Sequence, residues 1–129
     1  MRRRWVLAGA GLLAALLTGC ASASEPDVAK VASAFEDPSG DAQARCDLLA
    51  PATLTTFESD SSASCPDALA DVPLPGGEVS SVEIWGGDAQ VRLGSDTLFL
   101  TQTDTGWKVT AAGCESRGEA PYDCEVDGP

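Results

Sequence analysis

The run VEIWGGDAQVRLGSDTLFLTQTDTGWKV, Val82 to Val109, decides how the chain is read. Apolar residues return at every second position, and short Gly/Asp/Ser/Thr clusters break the run at regular intervals. Val82 and Ile84 alternate with Glu83 and Trp85. Ala89, Val91 and Leu93 alternate with Gln90 and Arg92. Leu98 and Leu100 oppose Phe99, and Trp107, Val109 and Ala111 open a fourth segment. Gly86-Gly87-Asp88, Gly94-Ser95-Asp96 and Asp104-Thr105-Gly106 supply the turns. A period of two with such turns predicts four antiparallel strands in a meander. The third strand is apolar on both sides, which predicts cover on both faces.

Upstream the period changes to that of a helix. Ser24-Glu25-Pro26-Asp27 has a capping serine, an acid three residues later and Pro in the first turn, a helix start. Val28, Val31, Ala32 and Phe35 follow at helical spacing, and Asp37-Pro38-Ser39-Gly40 ends the run. A second helical stretch is expected from Asp41 to Ala50, with Ala42, Cys46, Leu48 and Leu49 turned inward. Pro51 to Phe57 adds a turn or two, and Glu58 to Ser64 reads as loop. Ser64-Cys65-Pro66-Asp67 begins a short helix ending near Ala70, before Pro73, Pro75, Gly76 and Gly77 break the chain. Helices first and sheet afterwards define an α+β class.

The chain start carries a different signal. Arg2, Arg3 and Arg4 precede the uncharged run Val6–Leu17, and Thr18-Gly19 are small. This is the three-part layout of an export signal. The run is short for a permanent span of about 30 Å of hydrocarbon. Leu17-Thr18-Gly19-Cys20 resembles the lipobox of bacterial lipoproteins. The resemblance implies that Cys20 receives a diacylglyceryl group and becomes the first residue after cleavage. The expected organisation is a signal peptide over 1–19, a tether over 20–24 and one α+β domain over 25–129. The expected location is the outer face of a bacterial cell membrane, where the lipid anchor makes the membrane itself the partner.

Val82–Val109 together with the small helices also resembles the NTF2-like superfamily, with "TDTGWKV" the best local match. GWKVTAAGC (Gly106–Cys114) and PYDC (Pro121–Cys124) are similar to small actinobacterial lipoproteins. The superfamily resemblance implies N-terminal helices packed on a curved antiparallel sheet, a cone with a pocket. Trp85, Phe99 and Trp107 are the candidate pocket residues, against the plainer reading that the aromatics fill the core.

Charge narrows the partners. The 129 residues hold 8 basic and 20 acidic side chains, for a net charge of −12. Removing the three leading arginines leaves Lys30, Arg45, Arg92, Lys108 and Arg117 against all twenty acids, a net charge of −15. Nucleic acid is excluded as a partner, because its binding requires Lys and Arg to neutralise phosphates. An unidentified protein or small ligand remains open.

Five cysteines are present: Cys20, Cys46, Cys65, Cys114 and Cys124. Lipidation of Cys20 accounts for the odd one, and an exported chain oxidises the other four. Three pairings exist, and Cys46–Cys65 with Cys114–Cys124 is favoured by the inward face of Cys46 and the bend residues Gly113, Gly118 and Pro121. No CxxC motif and no histidine occurs, so neither a redox dithiol nor a Ser-His or Cys-His nucleophile is expected. Asp67 with Asp71, and Asp123 with Glu125 and Asp127, share faces, but neither group has the spacing of a calcium loop. No catalytic residue, metal or cofactor is assigned. The leading expectation is a non-enzymatic binding or accessory module. The alternatives are an NTF2-like enzyme with a buried carboxylate base, of isomerase or cyclase type, and a structural protein of the envelope.

Overall fold

Helices precede strands without exception in the computed structural model, which describes residues 20–129. The signal peptide assigned to 1–19 lies outside the described residues. The helices are α1 (Cys20–Glu36), α2 (Ala42–Cys46), α3 (Pro51–Ser61) and α4 (Cys65–Ala70). The strands are β1 (Val79–Trp85), β2 (Asp88–Leu93), β3 (Asp96–Thr103), β4 (Gly106–Arg117) and β5 (Ala120–Val126). They form one antiparallel sheet in the order β1-β2-β3-β4-β5, open and curved. The α+β class follows directly. No helix among the described residues is long and apolar enough to cross a membrane.

All four hairpins close with two-residue turns, flanked by the pairs Trp85↔Asp88, Leu93↔Asp96, Thr103↔Gly106 and Arg117↔Ala120. Gly86, Gly94 and Gly118 each take positive φ at the first turn position, as type II′ hairpins require. Gly94 meets a second demand. A β-carbon there would lie 2.6 Å from the Gly76 carbonyl oxygen, so only glycine lets the loop before β1 close on this hairpin.

One face of the sheet is apolar because the strand period is two. Ala89, Val91, Leu93, Leu98, Leu100, Trp107 and Val109 are all buried there. Cross-strand pairs Val91↔Leu98, Ala89↔Leu100 and Leu100↔Val109 stack them in rows. Val28, Ala32 and Phe35, spaced four and three apart on α1, cover them and expose nothing. Each such large apolar side chain contributes about 1.5–3 kcal/mol on burial. Among the described residues the apolar cluster runs from Val28 to Val126.

Several elements depart from the expected boundaries. The residues read as a tether are helical, since α1 begins at Cys20 and not at Ser24. Pro26 consequently sits inside α1, where it has no N–H to give to the carbonyl of Ser22, four residues earlier. The second helical stretch stops at Cys46 because Leu48–Ala50 leave it to pair with β4. Val109 N–H donates to the Leu48 carbonyl and Ala50 N–H to the Val109 carbonyl, each at 2.8 Å. The helix after Pro51 runs on to Ser61, absorbing half of the expected loop. At the start of α4 the Cys65 N–H donates to a Glu58 carboxylate oxygen at 2.9 Å, so α3 and not Ser64 supplies that cap. A fifth strand follows the expected four.

The outer face is covered at β3, though by the sheet itself. Ala111 pairs with Phe99 and Val109 with Leu100, so an extra residue bulges β4 at Thr110. Gly113 follows with φ +64. Beyond it β5 curls back, and Tyr122 meets Phe99 edge-on at 5.1 Å while Gln90 Nε2 donates to its hydroxyl at 3.3 Å.

Both disulfides take the favoured pairing, Cys46–Cys65 and Cys114–Cys124. The first ties α2 to α4, and the second joins directly opposed residues of β4 and β5. Their sequence separations are 19 and 10. By chain entropy each contributes about 3 kcal/mol. Replacing Cys46 and Cys65 together by Ala lowers the unfolding free energy by about 2–4 kcal/mol in urea titrations. An unchanged midpoint would show that the α2–α4 layer stands without its bridge.

Candidate functional site

The three aromatic residues expected to line one pocket are not brought together. Trp107 faces the core under α1, and borders a recess with Lys30, Val31 and Lys108. Phe99 lies on the opposite face beneath Tyr122. Trp85 ends β1 and is 55% exposed. Strand parity separates the first two, and position at a hairpin end separates the third. The aromatic count showed three residues able to line a cavity, but only the pairing register shows which side each takes.

A separate concavity lies elsewhere. A cleft of about 530 Å³ opens between the Pro73–Pro75 loop, the β2–β3 turn and the β4–β5 ribbon. Leu74 and Pro75 form one wall; the buried Asp96 lies between Gly113 and the exposed Ser95, and Glu115, Asp123 and Glu125 carry negative charge around it. Gly113 makes this geometry available, because a β-carbon there would sit 2.9 Å from Cβ of Glu125. Glu115 and Asp123 are paired directly across the two strands, a like-charge arrangement that costs stability. Arg117 approaches Asp123 only to 3.9 Å at the exposed surface, which offsets little of that repulsion.

Asp96 is the buried acid of the cleft, 6% exposed at the first position of β3. One oxygen, Oδ2, accepts from the Gly113 N–H at 3.0 Å. Burial holds its carboxyl above the usual aspartate range, and backbone N–H groups of Thr97, Gly113 and Cys114 partly oppose this. The side chain thereby fastens the bend of β4 to the start of β3. Its sequence context, Gly94-Ser95-Asp96, reads as an ordinary turn, and nothing local marks the acid as buried.

Two further buried charges escaped the sequence reading. Arg45 projects from α2 beneath the end of α1, where its Nε–H donates to the Phe35 carbonyl at 2.6 Å. Its guanidinium also lies 5.9 Å from the centre of the Phe35 ring. A cation there suits the negative end of α1. Desolvation lowers its pKa from the usual arginine value, and nearby Asp37 pulls the other way. Glu36, the last residue of α1, is wholly buried, and neither carboxylate oxygen has a hydrogen-bond partner among the described residues. It lines none of the clefts described above. Among the described residues no three potential ligands converge as a metal centre would need, so Asp67 with Asp71, and Asp123 with Glu125 and Asp127, remain surface carboxylates.

No family model, curated protein or solved structure matches the chain.

Each of the two buried acids gives its own expectation. Glu36→Gln keeps the shape but removes the cost of burying an ionisable group that has no hydrogen-bond partner among the described residues, and is expected to raise the unfolding free energy by about 1–3 kcal/mol at neutral pH. A loss of stability in the same titration would reveal a native role for the carboxylate. For Asp96 the sign follows from linkage. The native carboxyl holds its proton more firmly than the unfolded one, whose ordinary value is 3.8. As pH rises through that value the unfolded chain ionises first, and the stability contributed by Asp96 falls until the native group ionises as well. Measured from pH 3.5 upward, the unfolding free energy of Asp96→Asn therefore gains on wild type and then levels. A difference independent of pH would place Asp96 in water.

Proposed function

We propose that the protein is a lipid-anchored extracytoplasmic lipoprotein serving as a non-enzymatic binding or accessory module. The observation that carries this reading is cysteine bookkeeping. Cys46–Cys65 and Cys114–Cys124 account for four of five cysteines, and the fifth is Cys20 of the lipobox-like Leu17-Thr18-Gly19-Cys20. Two structural disulfides accord with an oxidising compartment outside the cytoplasm. Two acyl chains, at about 0.8 kcal/mol for each buried methylene, hold such a domain stably at a bilayer. The resemblance to the NTF2-like superfamily is compatible with helices laid on a curved sheet, and it supplies a scaffold that forms pockets.

The binding surface in this reading is the cleft at Asp96. Its apolar wall of Leu74 and Pro75 and its rim of Glu115, Asp123 and Glu125 suit an organic cation or a basic peptide side chain, with the field of the acidic domain adding long-range attraction.

Catalysis by a buried carboxylate is the second reading, and Asp96 is the acid that favours it. Against it stands the engagement of that carboxylate by backbone N–H groups, which leaves it to hold the strand bend. Glu36, the other buried acid, borders no cleft described here.

Mass spectrometry of protein extracted from native membranes tests the anchor. The expected result is an N-terminus at Cys20 carrying a diacylglyceryl mass, and release of Cys20→Ala from the membrane fraction. An unmodified Cys20, or retention of residues 1–19, would refute the reading.

A further inference from the structure

Trp85 is the one large apolar side chain that stands exposed among the described residues. A solitary surface apolar residue is ordinary. Its position in the fold makes this one different.

The sheet has two ends. The β1–β2 turn (86–87) and the β3–β4 turn (104–105) share one of them, because the strands alternate in direction. Gln102 N–H donates to the Gly87 carbonyl at 2.7 Å, and Thr101 Oγ1 donates to the same oxygen at 3.3 Å, so β3 braces the turn beside Trp85. The direction of α1 identifies which end this is. A β-carbon on Gly76 would lie 3.2 Å from the Glu36 carbonyl oxygen, so α1 finishes at the Gly94 end of the sheet. Asp27, Lys30 and Val31 border a recess with Thr105, Gly106 and Lys108, so its earlier half lies at the Trp85 end. Cys20 begins α1 and extends beyond that end. From Cys20 to Val31 is eleven residues, about 16 Å of helix.

We propose that Trp85 is a second membrane contact, seated among the headgroups of the bilayer that Cys20 enters, and that it fixes the tilt of the domain. The inference rests on the anchor proposed above. A lipid at Cys20 holds the Trp85 end of the sheet within about 16 Å of the bilayer. Pro26 interrupts the hydrogen bonding of α1 between the anchor and Val28, where the packed part of the helix begins, and a helix bends at such a residue. Leaning there lowers the β1–β2 corner onto the surface. An indole suits that layer, since it is apolar in body and carries one polar N–H. Glu25, Asp27, Asp88 and Asp104 outnumber Lys30 and Lys108 at the same end, so a zwitterionic bilayer is the matching surface.

The test uses the processed protein in phosphatidylcholine vesicles, with and without lipids brominated near the headgroup. Processing removes Trp5, so emission comes from Trp85 and the buried Trp107. Wild type is expected to lose at least a third of its emission to brominated lipid and to become several-fold less accessible to aqueous acrylamide. Trp85→Phe, a change at an exposed site, is expected to show little of either effect. Equal quenching of the two proteins, or unchanged acrylamide access in wild type, would overturn the proposal. Protection of Trp85 in native membranes without protection in vesicles would also overturn it, in favour of a protein partner. Mass spectrometry of Cys20 on the same sample separates this outcome from failure of the anchor. Where Cys20 is unmodified, coupling its thiol to a maleimide phospholipid supplies the tether, and the same quenching comparison decides the contact alone.

Discussion

Val28, Ala32 and Phe35 press α1 onto the apolar face of the sheet, and the other helical elements are arranged around that contact. The face exists because the strands alternate, and it is stable only when covered. Phe35 carries the largest share of that cover. Truncating such a residue to alanine typically costs about 3–5 kcal/mol, against a usual total of about 5–15 kcal/mol. Its surroundings are built to hold it in place. Arg45 lies beside the ring and binds the Phe35 carbonyl, and the Cys46–Cys65 bridge then secures α2, which carries Arg45, to α4. Leu48–Ala50 fasten the same layer to the half of β4 that β5 leaves free. Packing, one charged hydrogen bond, one covalent bond and two strand-type hydrogen bonds thus converge on a single helix–sheet contact.

The meander was legible because its signals are local. Val82–Val109 contains the turns, the alternation and the register of four strands, and the type II′ glycines punctuate it. The disulfide pairing was legible for the same reason, as each bridge joins neighbours in the cysteine order. What escaped has no short-range period. The Leu48–Ala50 pairing involves three residues, too few to alternate detectably. The strand Ala120–Val126 contains Pro121, Asp123 and Glu125, which resemble loop chemistry, and it forms because the bulge at Thr110 and the bend at Gly113 offer β4 as a template. The Glu58 cap joins residues seven apart through a side chain.

The site was less legible than the fold. Sequence reasoning looked for aromatic side chains and shared carboxylate faces, whereas the cleft is made by a proline loop meeting a coiled ribbon. Among twenty acids, burial distinguishes Asp96 and Glu36 from the rest, and burial is a property of the folded chain. The two show how differently one charge type can be housed. Asp96 is supported by backbone donors at a strand bend, while Glu36 has no hydrogen-bond partner among the described residues at the end of α1. In the surface carboxylates the same chemistry serves solubility and long-range attraction.

The two bridges do not overlap along the chain, since Cys46–Cys65 closes well before Cys114 is reached. For a polypeptide threaded N-terminus first through a translocation channel, this order matters. With Cys20 withheld from oxidation, as the lipid anchor proposed above would do, Cys46 and Cys65 would emerge and meet while Cys114 and Cys124 are still on the near side of the membrane. Oxidation of these four in order of emergence would then give the native connectivity directly. Such a chain needs an oxidant on the far side but no enzyme to reshuffle its bonds.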